Sequence, residues 1–210
     1  MAEVRENSST APRILMCPPR YYGIEYEINP WMHVEVGSDP SNSRTQWEAL
    51  VGALRGLGVE IDLLEPVEGL PDLVFTANAG IVYRGTFVSS RFRHEERQGE
   101  TPFFEEWARS RGFEVISPPG DGFFEGAGDA LFCGDTLFAG YRLRSDAGCL
   151  QEIGERLGVP VLPLELVDPR FYHLDTCFCP LDRESAIYFP GAFDEYGRTV
   201  LHERIDRLIE

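Results

Sequence analysis

One pattern recurs three times along this chain and restricts what it can fold into: a helix ending near Arg, then Gly, then a short strand-like run, then Pro. It reads "RGLGVEIDLLEP" (55–66), "RSRGFEVISPP" (109–119) and "ERLGVPVLP" (155–163). Gly58, Gly112 and Gly158 stand just past a helix end, where a positive φ favours a residue without Cβ. Pro66, Pro118 and Pro163 close each following strand, because proline cannot donate to a ladder. A second piece precedes the helices. "TFVSSRFR" (86–93) and "TLFAGYRLR" (136–144) are strand-like runs ending in paired arginines, and "SAIYFPGAFDEYG" (185–197) takes the equivalent place later. Helices are expected near 44–56, 102–111, 146–157 and 199–210, with apolar stripes such as Leu150, Ile153 and Leu157. An interval of roughly 50 residues, built from strand–strand–helix–strand modules, predicts an α/β propeller-like or solenoid array. The fourth helix, "TVLHERIDRLIE", has no following Gly and strand. The expectation is therefore about four modules, the last without its strand and with an open sheet edge, in the first part of a longer protein.

The 210 residues are 43% hydrophobic, a composition that supports a packed domain. Residues 1–12 carry no apolar stretch and read as a flexible leader, not a signal peptide, which leaves 13–210 as the folded part. No run approaches 18 apolar residues, so no membrane span is expected. Five cysteines in irregular spacing do not make a disulfide framework and point to a reducing cytoplasm. The formal charge is −16, and all 19 basic residues are arginine. Such a surface disfavours nucleic acid and suits a cationic small molecule.

Chemistry-bearing residues crowd the loops between modules. Asp72, Asn78, Glu125 and Asp129, with Asn29, offer the carboxylates and amides that a planar guanidinium needs, since its N–H fork pairs with carboxylate oxygens in one plane. Arg97 and Arg144 are suited to a carboxylate on the same substrate. For each of these taken singly, a loop cap or surface ion pair is the competing reading. "FFEGAGDALF" (123–132) is a poor phosphate cradle: two acids flank its glycines, and there is no lysine.

"YHLDTCFCPL" (172–181) places His173, Asp175, Cys177 and Cys179 on alternate residues. His173 is a candidate acid–base group with Glu125 or Asp175 orienting its ring. A C-x-C pair with Cys17, Cys133 and Cys149 scattered singly is a weak zinc pattern, and inert strand thiols are the simpler reading. In a regular strand both thiols would stand roughly 13–20 Å from His173 at 3.3 Å per residue.

The "HLDT" and "EG-G-D" motifs resemble those of the guanidino-group-modifying superfamily, which includes arginine deiminases, dimethylarginine dimethylaminohydrolases, amidinotransferases and arginine dihydrolases. The resemblance covers residues 13–210. It implies a five-bladed α/β-propeller (pentein) of ββαβ modules around a polar channel, a small guanidino substrate, and no metal or organic cofactor. It implies that His173 is catalytic, that Glu125 orients it and binds guanidinium, that Asp72, Asp129 and Asp175 line the substrate site, and that Arg97 and Arg144 hold the substrate α-carboxylate. This sequence reads Glu-Gly-Ala-Gly-Asp where many members have Glu-Gly-Gly-Asp. Asn78 and Asn29 are similar to the arginine dihydrolases, which convert arginine to ornithine, carbon dioxide and ammonia; dimethylargininase activity and a non-catalytic arginine-binding module are the alternatives. The implied mechanism is covalent: a cysteine thiolate attacks the guanidinium carbon, the histidine protonates the departing ammonia or amine, then activates water. In the family that cysteine belongs to the fifth module, and none of the five present matches it. A homo-oligomer covering the open edge is a further expectation.

Overall fold

The structure, a computed structural model, describes residues 11–210. Most of the expected leader, residues 1–10, lies outside the described residues. The described residues form two compact units, residues 11–23 with Ser38–Thr76, and Ile24–Gly37 with Ala77–Glu210.

The first unit is a β-α-β element. Strand β1 (Arg13–Met16) pairs in parallel with β2 (Glu60–Leu63) through helix α1 (Pro40–Gly56). Asp39 caps α1, its Oδ1 accepting from the Asn42 amide at 2.9 Å, and Pro40 takes the first helical position, where no N–H is needed.

The second unit holds three ββαβ modules. The first contains β3 (Gly80–Tyr83), β4 (Thr86–Ser89), a short α2 (Glu95–Gln98), α3 (Thr101–Ser110) and β5 (Glu114–Ile116). The second contains β6 (Ala130–Cys133), β7 (Thr136–Tyr141), α4 (Ala147–Leu157) and β8 (Val161–Glu165). The third contains β9 (Phe178–Pro180), β10 (Ser185–Tyr188), α5 (Glu195–Arg204) and β11 (Arg207–Ile209). In each, an antiparallel hairpin is followed by a helical crossover that returns the third strand parallel to the second. The glycines past α1, α3 and α4 take the expected left-handed conformation, with φ of +81° at Gly58, +83° at Gly112 and +67° at Gly158.

Four expectations are corrected. The last helix does not run over 199–210: it begins at Glu195, capped by Asp194, and stops at Arg204. Arg207–Ile209 then pairs with β10 in the register Ser185↔Arg207, so this module has the strand it was expected to lack. No glycine marks the exit because Ile205 leaves the helix in extended conformation (φ −122°, ψ 118°) and needs no left-handed residue. Pro163 does not close its strand but lies inside β8, opposite Ala139; β8 is an edge strand, where a missing N–H is tolerated. Residues 172–177 are not a strand either. Leu174–Thr176 form a 3₁₀ turn, and β9 begins only at Phe178.

Apolar cores lie between consecutive modules. Ile81 and Val88 of the first pack with Phe124, Leu137, Leu150 and Ile153 of the second. Phe138 and Leu164 of the second pack with Phe178, Tyr188, Leu201 and Ile205 of the third. Burying a side chain such as Leu150 or Ile153 completely stabilises by about 1.5–3 kcal/mol. Register makes three rows equivalent: Ile81–Val88–Ile116, Leu131–Phe138–Leu162 and Cys179–Ile187–Ile209. The next module covers the first two rows. In the third, Ile187 is 44% exposed and Ile209 41%.

Candidate active site

A 3₁₀ turn leads into the first strand of every module in the second unit: Thr76–Ala79 before β3, Gly126–Gly128 before β6 and Leu174–Thr176 before β9. These turns and the residues beside them carry Asn78, Glu125, Asp129 and His173. Because the modules repeat, the same position of each is presented to one place. Glycine allows the close approach. A Cβ on Gly128 would overlap the Asn78 amide nitrogen and stand 3.1 Å from His173 Nδ1. Gly126, at φ +61°, lies where a Cβ would be 2.6 Å from the Gly80 nitrogen.

His173 is buried, with a carboxylate at each ring nitrogen. Nδ1 stands 3.0 Å from Asp129 Oδ1, and Nε2 stands 3.3 Å from Glu125 Oε2. Burial alone would push the imidazole pKa down, but Asp129 and then Glu125 outweigh it and raise the pKa to about 9. The Glu125 carboxyl moves the other way. Burial works against its ionisation, yet the hydrogen bond from His173 and the charge of Arg144 hold it down at about 2. Both shifts favour a charged ring on His173 and an ionised Glu125 beside it at neutral pH.

Arginines complete the network. Glu125 Oε1 accepts from the Arg93 backbone N–H at 3.0 Å, and Oε2 accepts from Arg144 Nη1 at 3.0 Å. Arg144 Nη2 donates to the Ile28 carbonyl at 2.7 Å, and its guanidinium lies 4.8 Å from the Tyr172 ring centre. Arg97 donates through Nε and Nη2 to both oxygens of Glu100, at 2.9 and 2.8 Å, and through Nη1 to Asn78 Oδ1 at 2.9 Å. A guanidinium only donates, so this bond assigns the Asn78 oxygen to Arg97 and turns Nδ2 toward His173 Nε2, 3.3 Å away. When Nε2 carries its proton its acceptor is Glu125; when it does not, Asn78 supplies a donor.

The structure thus brings His173, Glu125, Asp129, Asn78, Arg97 and Arg144 into one buried network. Asp175 is exposed as a residue and makes no hydrogen bond to the ring among the described residues; the burial of its carboxyl, against attraction by His173 and with a smaller push from Asp129, raises its pKa to about 6. Asn29 caps its own turn, Oδ1 accepting from the Trp31 amide at 2.9 Å, next to the Ile28 carbonyl that Arg144 holds. Asp72 belongs to the first unit, buried in the 3₁₀ turn Pro71–Val74.

The profile described as N,N dimethylarginine dimethylhydrolase, eukaryotic, matches residues 32–207. The chain belongs to the dimethylarginine dimethylaminohydrolase family. Among its relatives, the bifunctional arginine dihydrolase/ornithine cyclodeaminase AgrE of Nostoc sp. is 47% identical over 196 residues, 92% of this chain and 28% of that protein. The N(G),N(G)-dimethylarginine dimethylaminohydrolase of Mycobacterium tuberculosis is 43% identical over 86% of this chain and 59% of its own. The N-terminal domain of ArgZ, a cyanobacterial arginine dihydrolase, solved as a Cys-to-Ser variant bound to substrate, superposes with a TM-score of 0.89 at 45% identity, covering 94% of this chain and 75% of that one. A family enzyme from Pseudomonas aeruginosa, complexed with citrulline, shares the α/β fold at a TM-score of 0.74 and 21% identity. The chain spans 28% of the length of the two cyanobacterial bifunctional relatives.

Set against this family, the thiols stand apart from the cluster. Cys177 Sγ lies 3.4 Å from the Leu174 carbonyl and 3.8 Å from that of His173, closer than a strand would place it, because the 3₁₀ turn folds the chain back. Burial pushes its pKa up to about 12, and that of Cys149 up to about 11. Cys179 is exposed, so the C-x-C pair does not converge. Among the described residues no thiol hydrogen-bonds the His173 ring, and no cluster of His, Cys, Asp and Glu is arranged to hold a metal ion. No helix among them is long and apolar enough to cross a membrane. Three site members went unread in the sequence: Glu100, Ser145 and the Arg93 amide. Ser145 follows the singled-out Arg144 directly, and Glu100 lies at i+3 from Arg97, which were the only local signals.

Proposed function

We propose that this chain supplies the guanidino-binding and acid–base groups of a hydrolase acting on arginine or methylated arginines. The observation that carries the reading is the buried His173 between Glu125 and Asp129. Its protonated ring at neutral pH suits the step in which a leaving ammonia or amine takes a proton, and the flanking carboxylates suit a planar cation. Asn78, Asn29 and Asp175 complete the guanidinium side, and Asp72 is a guanidinium ligand on the family resemblance alone. Arg97 and Arg144 are assigned to the substrate carboxylate, which a planar guanidinium fork pairs in bidentate geometry. The asparagines at 78 and 29, and the likeness to cyanobacterial arginine dihydrolases, favour arginine going to ornithine. The family profile and the mycobacterial relative favour dimethylarginine going to citrulline as the second reading.

In the same proposal the modules are blades of a five-bladed α/β-propeller, residues 13–210 are its catalytic part, and the exposed row Cys179–Ile187–Ile209 is the face a further module covers. The attacking thiolate is not one of the five cysteines here, since none of them hydrogen-bonds the His173 ring and burial pushes the pKa of Cys149 and Cys177 up to about 11 and 12. Calorimetric titration with L-arginine and with N,N-dimethylarginine, followed by assay of ornithine, citrulline and ammonia, tests both parts. Binding without product release is expected. No binding of either compound at millimolar concentration refutes the substrate class, and turnover by the 210-residue chain refutes the assignment of the thiols.

A further inference from the structure

Ser145 is fully buried one residue beyond Arg144, and its hydroxyl makes two bonds within the cluster. Oγ donates to Asp129 Oδ2 at 2.6 Å and accepts from the Glu125 backbone N–H at 3.0 Å. The direction is fixed, because a carboxylate only accepts and an amide N–H only donates. With Oδ2 occupied, Asp129 presents Oδ1 to His173 Nδ1 at 3.0 Å and to the Leu174 amide at 3.2 Å. At the other end, the anchored Glu125 backbone leaves its carboxylate to Arg93, Arg144 and His173 Nε2. One hydroxyl therefore touches both acids that flank the ring.

We infer that Ser145 is a positioning residue that, by holding Asp129 Oδ2, sets how tightly the His173 ring holds its proton. The inference rests on the acid–base role of His173 proposed above. The charged groups around the ring are Asp129 at Nδ1, Glu125 at Nε2, Asp175 on its own turn, Arg144 behind Glu125 and Arg97 behind Asn78. The Ser145 O–H turns its positive end toward Asp129. Removing it strengthens the field of that carboxylate at the imidazolium, so the ring should hold its proton to higher pH.

The test is an imidazole titration by NMR on the full chain, with the His173 signal assigned by its loss in His173→Gln. Ser145→Ala should shift the midpoint upward by several tenths of a pH unit, Ser145→Cys, a weaker donor of similar size, by less, and Ser145→Thr, which keeps the hydroxyl, by little. An unchanged or lowered midpoint in folded Ser145→Ala overturns the inference. Should that variant not fold, an unchanged midpoint in Ser145→Cys overturns it equally. Arginine titration of the wild type separates the two claims: binding with no Ser145 effect defeats only the positioning role, whereas a Ser145 effect without binding defeats only the proposed substrate class.

Discussion

Raising the pH from 7 to 9 should destabilise this chain through one residue. An unfolded histidine titrates near 6.5, and in the fold Asp129 and Glu125 raise His173 to about 9. A group whose folded pKa lies above its unfolded value contributes stability that is complete below the unfolded pKa and lost as pH rises through the folded one. At 1.36 kcal/mol per pH unit, the span from 6.5 to about 9 is on the order of 3 kcal/mol, a large part of a typical folding free energy. Asp175, raised to about 6 by its burial, adds a smaller loss of the same sign between pH 6 and 7, so the window from 7 to 9 belongs to His173. The half-buried His94, pushed down by its burial and then by Arg144, affects the acid side of 6.5, and Glu125, at about 2, acts below the ordinary carboxylate range. Cys177 and Cys149 cost stability only above about pH 9, where an unfolded thiol ionises and the buried ones do not. Urea melts at pH 6, 7, 8 and 9 should give midpoints that fall steadily at constant slope. Asp129→Asn, which removes the first carboxylate, should flatten most of that fall. A wild-type midpoint level from pH 6.5 to 9, or a fall undiminished in Asp129→Asn, refutes the reasoning.

Three further outcomes are expected. Gly128→Ala places a methyl against the Asn78 amide and the His173 ring, and should cost about 1–3 kcal/mol in chemical melts while moving the His173 titration back toward 6.5; an unperturbed ring contradicts the close approach. Alkylation at pH 8 followed by mass spectrometry should label Cys179 first, with Cys17, Cys133, Cys149 and Cys177 protected until unfolding, and early labelling of Cys177 contradicts its assignment as an inert thiol. Gly158→Ala meets no atom within 4 Å but forces a side chain into φ +67°, so it should cost about 1–2 kcal/mol from backbone strain alone; a neutral result refutes the cap.

Much of the fold can be read from local chemistry. The glycines at 58, 112 and 158 are visible because a left-handed exit is a single-residue requirement, and the helices because a buried stripe repeats with helical period. Two features have no such mark. Ile205 ends α5 by turning extended, which any residue does, so β11 looked like more helix. Leu174–Thr176 alternates like a strand but folds as a 3₁₀ turn, since the chain must swing His173 inward before β9 begins. The site divides the same way. His173, Glu125 and Asp129 stand out by type and spacing, and the inserted Ala127 leaves both acids on the ring, at opposite nitrogens. Ser145 lies 20 residues from Glu125 and 16 from Asp129, and its function depends on contacts that only the packed modules create.

The central claim is that this cluster receives a guanidinium, and the most direct measurement is L-arginine titration of the wild type beside Glu125→Gln, both confirmed folded by circular dichroism. Glutamine keeps the shape and loses the charge, and a hydrogen bond to a charged partner is worth about 1.5–3 kcal/mol, so the variant should bind roughly ten- to a hundredfold more weakly. Equal affinity in the two proteins, or no binding by the wild type, would contradict it.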